Sequence, residues 1–338
     1  MNKIKFAVIG CGHIGKKHAE VISKNKDAEL VALIDIKNPA ELAIKDFHVP
    51  FFYSLKEFLE QHFDADVINI ATPNGLHAQH AIDCLNVSKH VVIEKPMALH
   101  STAAKKIIDA ANEKQKHVFV VMQNRYSAPV ALLKEIVEKN ILGKIYSVQL
   151  NCFWNRDERY YTPVNWHGTK TLDGGTLFTQ FSHFIDIFYW LFGDIKNIQT
   201  RLQSFNHKQL TEFEDSGIVT FEFGDDSLGC LNFSTSVWGR NMESSITIIA
   251  ENGSIKIGGQ YMDKMEYCHI KNYTMPELSQ SNISNDYGNY KGSAANHALV
   301  IQNVIDVLHN KKSITATAEE GLKVVNIIER IYSASLNH

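Results

Sequence analysis

The sequence predicts an α/β chain: a doubly wound parallel sheet, followed by an α+β domain built on an open, mostly antiparallel sheet. Three observations carry this. Short β-branched runs alternate with helix-like stretches over residues 1–122. A glycine-rich turn ends the first of those runs. Beyond residue 123 longer strands follow one another with polar residues interleaved.

In the first region the runs are Ile4–Ile9, Glu29–Ile34, Val67–Ala71, His90–Ile93 and His117–Val121. Between them Lys16–Lys24, Leu55–His62, His77–Leu85 and Ser101–Glu113 have helical spacing. Strands alternating with helices are βαβ units, and continuous apolar runs fit strands buried on both faces. This defines a first domain at 1–122. The remainder, 123–338, reads as a second domain, with its C-terminal helix able to pack back on the first.

In the second region Lys144–Phe153, Asn197–Phe205, Ser216–Phe223, Ser227–Ser236, Glu243–Ala250 and Gly253–Ile257 read as strands. Turn signals at Gly224-Asp225-Asp226 and Glu251-Asn252-Gly253 separate some of them. Helices are expected at Pro129–Asn140, Thr179–Phe192, His297–His309 and Ala318–Leu336. Tyr273–Asn296, rich in Ser, Asn and Gly, reads as a surface loop that helps cover a ligand.

Composition narrows the function class. Of 338 residues 44% are hydrophobic and 21% charged, and the formal net charge is −3, so neither nucleic acid nor an anionic membrane is expected as a partner. Cys11, Cys84, Cys152, Cys230 and Cys268 are odd in number and form no C-x-x-C pair, which argues against a disulfide framework and a thiolate metal site. No apolar run suits a membrane span. The first residues pass directly into a strand without a leader. The expectation is a cytoplasmic protein with no metal.

Gly10-Cys11-Gly12-His13-Ile14-Gly15 fits G-x-G-x-x-G, follows a strand and opens a helix, and Asp35 ends the next strand. That context makes it a Rossmann dinucleotide site. Gly10 permits the tight turn, Gly12 lets a pyrophosphate reach the backbone, and Gly15 lets helix and strand pack. The N-terminus of the helix, at His13 and Ile14, offers N–H groups to the phosphates. Asp35 accepts hydrogen bonds from ribose hydroxyls and repels a 2′-phosphate, and Ile36 and Lys37 build no Arg-rich pocket, so NAD is preferred over NADP.

Glu94-Lys95-Pro96 follows the strand His90–Ile93. A lysine there faces the ligand crevice of such a sheet, where its ammonium can stabilise a developing alkoxide. Thr179, His183 and Asp186 share one helix face, and an imidazole titrating near neutrality suits a general base.

Taken in order, GCGHIG, Ala71-Thr72-Pro73-Asn74-Gly75-Leu76-His77, Glu94-Lys95-Pro96, Gly174-Gly175 and His183-x-x-Asp186 resemble the glucose-fructose oxidoreductase/inositol dehydrogenase family over nearly the whole chain. The resemblance implies that Thr72, Pro73, Asn74 and His77 lie on the nicotinamide side of NAD. It implies that Glu94 and Lys95 touch the nicotinamide ribose and the reacting hydroxyl, that Gln123 and Trp166 lie near the cofactor, that Lys95 and His183 are catalytic, and that the chain assembles as a tetramer through its open sheet. The Lys95–Pro96 bond is expected to be cis. One departure stands out: the family commonly places Asp four residues before this histidine, and here the residue is Thr179.

Gln123-Asn124-Arg125, Phe153-Trp154-Asn155-Arg156, Tyr160-Tyr161, Trp166 and Asp173-Gly174-Gly175 are similar to a subgroup, the UDP-N-acetylglucosaminuronate 3-dehydrogenases. Its members oxidise the sugar C3 hydroxyl to a ketone for diamino-uronic acid and O-antigen biosynthesis, and 2-oxoglutarate reoxidises NADH in some. This implies substrate contacts from Lys95, Asn124, Arg125, Arg156, Tyr160, Tyr161, Thr179, Gln180 and His183. Arg156 offers a fork for a carboxylate or diphosphate, and the tyrosines offer hydroxyls and flat faces. In related enzymes Arg often follows the Trp, whereas His167 does here. Two alternatives stay open: another sugar or inositol dehydrogenase of the family, and a non-catalytic NAD-binding regulator.

Overall fold

A computed structural model describes residues 2–162, 166–278, 284–286 and 291–335. The chain divides into two compact units, Met1–Met122 with His297–Val325, and Gln123–Asn296 with Asn326–His338.

The first unit runs β1 (Ile4–Ile9), α1 (His13–Lys24), β2 (Ala28–Ile34), β3 (Phe51–Phe52), α2 (Leu55–Glu60), β4 (Val67–Ile70), α3 (His77–Asn86), β5 (His90–Ile93), α4 (Ser101–Lys114) and β6 (Val118–Val120). Its six strands pair in parallel in the order β3-β2-β1-β4-β5-β6. Every residue of β4 is buried, as a central strand covered on both faces requires. On α1 the buried positions Gly15, His18, Ala19 and Ile22 follow helical spacing. Strand order reverses at β1, so the ends of β1 and β4 frame the crevice where such sheets bind ligands. The two-residue β3 gave no periodic signal in the sequence.

The second unit contains α5 (Ala128–Glu138), β7 (Ile145–Phe153), α6 (Glu158–Tyr161), α7 (Ser182–Phe192), β8 (Ile195–Gln203), β9 (Ser216–Phe223), β10 (Leu228–Ser234), β11 (Glu243–Ala250), β12 (Gly253–Gly258) and β13 (Lys264–Ile270). Seven strands form one sheet in the order β13-β12-β11-β7-β10-β9-β8. The sheet is mixed: β7 and β10 run parallel and the remaining pairs antiparallel. One face is buried, with Val219, Phe221, Phe223, Leu231 and Phe233 alternating inward, and Phe188 of α7 packs 5.3 Å from Phe221. The other face leaves Tyr146, Ile218, Leu228, Ile249 and Tyr267 exposed. The edge strand β13 buries only its last residue, so the sequence carried no alternation there.

A hairpin of β14 (Ser284–Asp286) and β15 (Lys291–Ala294) falls inside the expected loop Tyr273–Asn296. Residues 279–283 and 287–290 of that loop lie outside the described residues. Two helices follow, α8 (His297–Leu308) and α9 (Ala318–Ser335). α8 and the start of α9 belong to the first unit. Among the described residues no helix is long and apolar enough to cross a membrane.

Candidate active site

In the first unit the glycine turn is shaped by sterics. Gly10 has φ +84°, and a Cβ there would stand 2.5 Å from the Ala71 carbonyl oxygen. A Cβ on Gly15 would stand 1.7 Å from the Gly10 oxygen, so β1, the turn and α1 close-pack only with glycine. A Cβ on Gly12 meets nothing within 4 Å, and Gly12 starts α1 without a side-chain cap or an acid in the first turn. The start of α1, at His13 and Ile14, thus has room beside Gly12 and no side-chain cap, the arrangement that receives a diphosphate. Burial pushes the His13 imidazole below its ordinary value, with Lys16 adding to the shift.

Asp35 Oδ2 accepts from the Cys11 N–H at 2.6 Å, and Oδ1 accepts from the Lys37 N–H at 2.9 Å. The carboxylate thereby ties the end of β2 to the glycine turn, while Ile36 beside it is 85% exposed. Glycines, open helix start and carboxylate together fit NAD.

His77 links the next two loops. Its Nε2 lies 2.8 Å from the Thr72 oxygen and its Nδ1 2.7 Å from the Pro96 oxygen. Burial pushes its pKa down against the pull of those two carbonyls. Thr72 Oγ1 lies 3.1 Å from His80 Nδ1, Pro73 precedes a short 3-10 turn, and Asn74 is buried. The Lys95–Pro96 bond is cis. Glu94 is buried, with Oε1 3.0 Å from His18 Nε2 and 3.5 Å from His297 Nε2, and Oε2 accepting from the Lys95 N–H at 3.2 Å. Burial would raise the Glu94 carboxyl; His18 and His297 overcome this and hold it well below the usual carboxylate range.

In the second unit the parallel pairing of β7 and β10 sets the ends of both strands side by side. The Trp154 N–H donates to Ser234 and the Arg156 N–H to Thr235, each at 2.8 Å. Arg156 is buried. Its Nε donates to Gln180 Oε1 at 2.8 Å, and its Nη1 to the Asn155 oxygen at 2.6 Å and Asn241 Oδ1 at 3.2 Å. The guanidinium lies 4.8 Å from the Trp154 ring and 5.2 Å from the Tyr160 ring. Gln180 Nε2 donates to Tyr160 Oη at 2.8 Å, and the Tyr160 ring stacks 4.1 Å from His167. Arg156, Tyr160 and Gln180, each expected at the substrate, therefore form one buried network. Tyr161 packs edge-on against Tyr160, and its hydroxyl is pushed up by burial. Trp166, half-buried, stands edge-on to His167 at 4.1 Å.

His183 is buried on α7, just past a π-helical turn at Leu177–Phe181. The Thr179 hydroxyl donates to the Asp173 backbone oxygen at 2.9 Å and to the Asp173 carboxylate, whose Oδ2 accepts from the Gly168 N–H at 2.7 Å. A carboxylate six residues upstream thus bonds the Thr179 hydroxyl. One turn beyond His183, Asp186 takes a two-pronged pair from Arg125, Nε at 2.8 Å and Nη2 at 2.6 Å, with both side chains buried. Arg125, expected at the substrate, instead gives this fork to α7 and lies 5.0 Å from the Trp190 ring. Gln123 and Asn124 precede it, both buried; Asn296 Nδ2 donates to the Gln123 oxygen at 3.1 Å, and the Asn124 amide has no hydrogen-bond partner among the described residues.

Sequence reasoning missed Asp173 and Asp186 as partners, and also Glu214, whose carboxyl receives the Tyr332 hydroxyl at 2.7 Å. Burial raises the Glu214 pKa to about 7. His18 had a signal, being a polar residue on the inward stripe of α1; Glu214 had none.

Models of the oxidoreductase family GFO/IDH/MocA match residues 4–122, as its NAD-binding Rossmann fold, and 130–256, as its C-terminal domain. The WlbA dehydrogenase from Chromobacterium violaceum, solved with NADH and UDP-GlcNAcA, is 31% identical at TM-score 0.89, covering 100% of this chain and 95% of that one. The WlbA dehydrogenase from Bordetella pertussis, in the same type of complex, is also 31% identical at TM-score 0.89, covering 99% of this chain and 97% of that one. Glucose-6-phosphate 3-dehydrogenase of Bacillus subtilis is 31% identical over 192 residues, 56% of this chain and 53% of that enzyme. With its glycine turn, Asp35 carboxylate and cis Lys95–Pro96 turn in place, the chain belongs to the GFO/IDH/MocA oxidoreductase family and is an NAD-dependent dehydrogenase.

Proposed function

We propose that the protein oxidises the C3 hydroxyl of UDP-N-acetylglucosaminuronic acid to the 3-keto sugar. The observation that carries this is likeness over the full chain, at TM-score 0.89, to two dehydrogenases solved with NADH and UDP-GlcNAcA. The buried Arg156–Gln180–Tyr160 network supports it, since a planar guanidinium suits an acidic ligand.

In the proposed mechanism Lys95 hydrogen-bonds the C3 oxygen and stabilises negative charge as it develops there. His183, or a water linked to it, takes the hydroxyl proton. The glycine turn and Asp35 would hold NAD, which would supply the hydride acceptor for C3. Asp35 receives the ribose hydroxyls and disfavours a 2′-phosphate. Gln123 and Trp166 serve the cofactor, and Asn124, Tyr161 and Thr179 the sugar nucleotide. The 3-keto product suits a following transamination, as diamino-uronic acid and O-antigen synthesis requires. Five free cysteines support a cytoplasmic setting, and the apolar residues on the open sheet face support association as a tetramer.

NADH formation followed by absorbance, with UDP-N-acetylglucosaminuronic acid as substrate and with or without 2-oxoglutarate, tests the reading. Faster turnover of glucose 6-phosphate or an inositol would replace it with another sugar dehydrogenase activity of the family.

A further inference from the structure

Glu94, just past β5, sits in a cluster with residues of α1, α8 and β4 of the first unit. His18 comes from α1, the helix that the glycine turn opens, and His297 from the first turn of α8. Asn69 comes from β4, and its Nδ2 donates to His18 Nδ1 at 2.7 Å. This fixes the tautomer of His18: with Nδ1 accepting, Nε2 carries the hydrogen that Glu94 Oε1 receives at 3.0 Å. The His297 ring stands edge-on to the His18 ring at 5.4 Å and reaches the same oxygen at 3.5 Å. The second carboxylate oxygen accepts the backbone N–H of Lys95 at 3.2 Å. All of His18, Glu94 and His297 are at most 6% exposed.

We propose that His18 and His297 are positioning residues that hold the Glu94 carboxylate in one rotation and thereby set the backbone of Lys95. A carboxylate is planar. The His18 hydrogen bond and the His297 ion-pair contact both fall on Oε1 while Oε2 accepts the Lys95 N–H, so contacts on both oxygens set that plane. His297 adds a function to the chain's return to the first unit: a residue some 200 positions away in sequence completes the turn that carries the lysine. The inference rests on the proposed roles of Lys95 and Glu94 at the nicotinamide side, and its test needs no sugar substrate.

The test is a double-mutant cycle on NADH binding, read by cofactor fluorescence, using wild type, His297→Ala, Glu94→Gln and the double variant. His297→Ala is expected to weaken NADH binding about tenfold, and the double variant to bind no worse than Glu94→Gln alone. His297→Asn, which keeps an N–H donor, is expected to recover part of the loss, and serves in place of the alanine variant should that one not fold. Wild-type affinity in the folded His297 variant would overturn the proposal. So would losses that simply add in the double variant. A stoichiometric metal ion in the purified protein that His297→Ala releases would overturn it too, making the cluster a metal site. If the cycle couples while no UDP-sugar is oxidised, the substrate reading fails and this one stands.

Discussion

The two units build their sites from different material. The first is led by backbone, a left-handed glycine, the open start of α1 and a cis turn, with side chains such as Asp35 and Glu94 bracing it. The second uses long side chains meeting across distant segments, Arg156 with Gln180 and Asn241, and Arg125 with Asp186. A backbone site is set by local steric rules and tolerates almost no change of residue type at its tight points. A side-chain site is set by packing, and each member is held only as firmly as its partners hold it.

The sharpest way to break the contrast lies within the glycine turn. Gly15→Ala places a carbon 1.7 Å from a carbonyl oxygen and is expected to abolish a stable fold and NADH binding together. Gly12→Ala has open space around its new methyl and is expected to leave the melting temperature within a degree or two, while NADH affinity falls at least tenfold. Calorimetry and fluorescence titration read both; equal behaviour of the two variants would remove the distinction.

Lys95→Ala comes next. Turnover should drop roughly 10²–10³-fold, as when one preorganised donor is lost, with NADH binding within about twofold of wild type. Near-normal turnover would remove Lys95 from the chemistry.

In the second unit Arg125→Ala leaves Asp186 ionised and buried, with an expected cost of about 3–5 kcal/mol by denaturant unfolding. Arg125→Met with Asp186→Leu should recover most of it. A cost near zero for the single variant would mean that the pair does not brace α7.

The smallest effect is a pH dependence. Glu214 has its pKa raised from its ordinary 4.5 to about 7, chiefly by burial. Below the lower value both folded and unfolded chains hold the proton, and the group's contribution is complete. As pH rises through that window the unfolded chain releases it first, so stability falls by up to about 3 kcal/mol and levels off above the higher value. The half-buried His90, pushed down to about 4 by desolvation, opposes this on the acid side. The measurement is therefore the difference between wild type and Glu214→Gln from acid to neutral pH, which should shrink in the variant's favour as pH rises.

The same contrast explains what could be read in advance. The parallel sheet, the glycine turn and the Asp35 spacing were legible because short-range geometry dictates residue type at fixed intervals. The site on α7 was legible only in part. His183 and Thr179 share a helical face, but nothing in the sequence ties Asp173 to Thr179, and Arg125, expected at the substrate from the resemblance, pairs with Asp186. Glu214 and Tyr332 lie 118 residues apart, and no periodicity relates them. The strand β13 escaped because an edge strand has one neighbour and little to bury.

The parallel pairing of β7 with β10 has one more consequence. Because both strands leave the sheet at the same end, the segments that carry Arg156 and Asn241 are tethered to adjacent posts. Lengthening either tether would shift Arg156 or Asn241 without disturbing the ladder beneath. New ligand preferences can therefore arise on this scaffold through short insertions at two points, with the framework inherited intact.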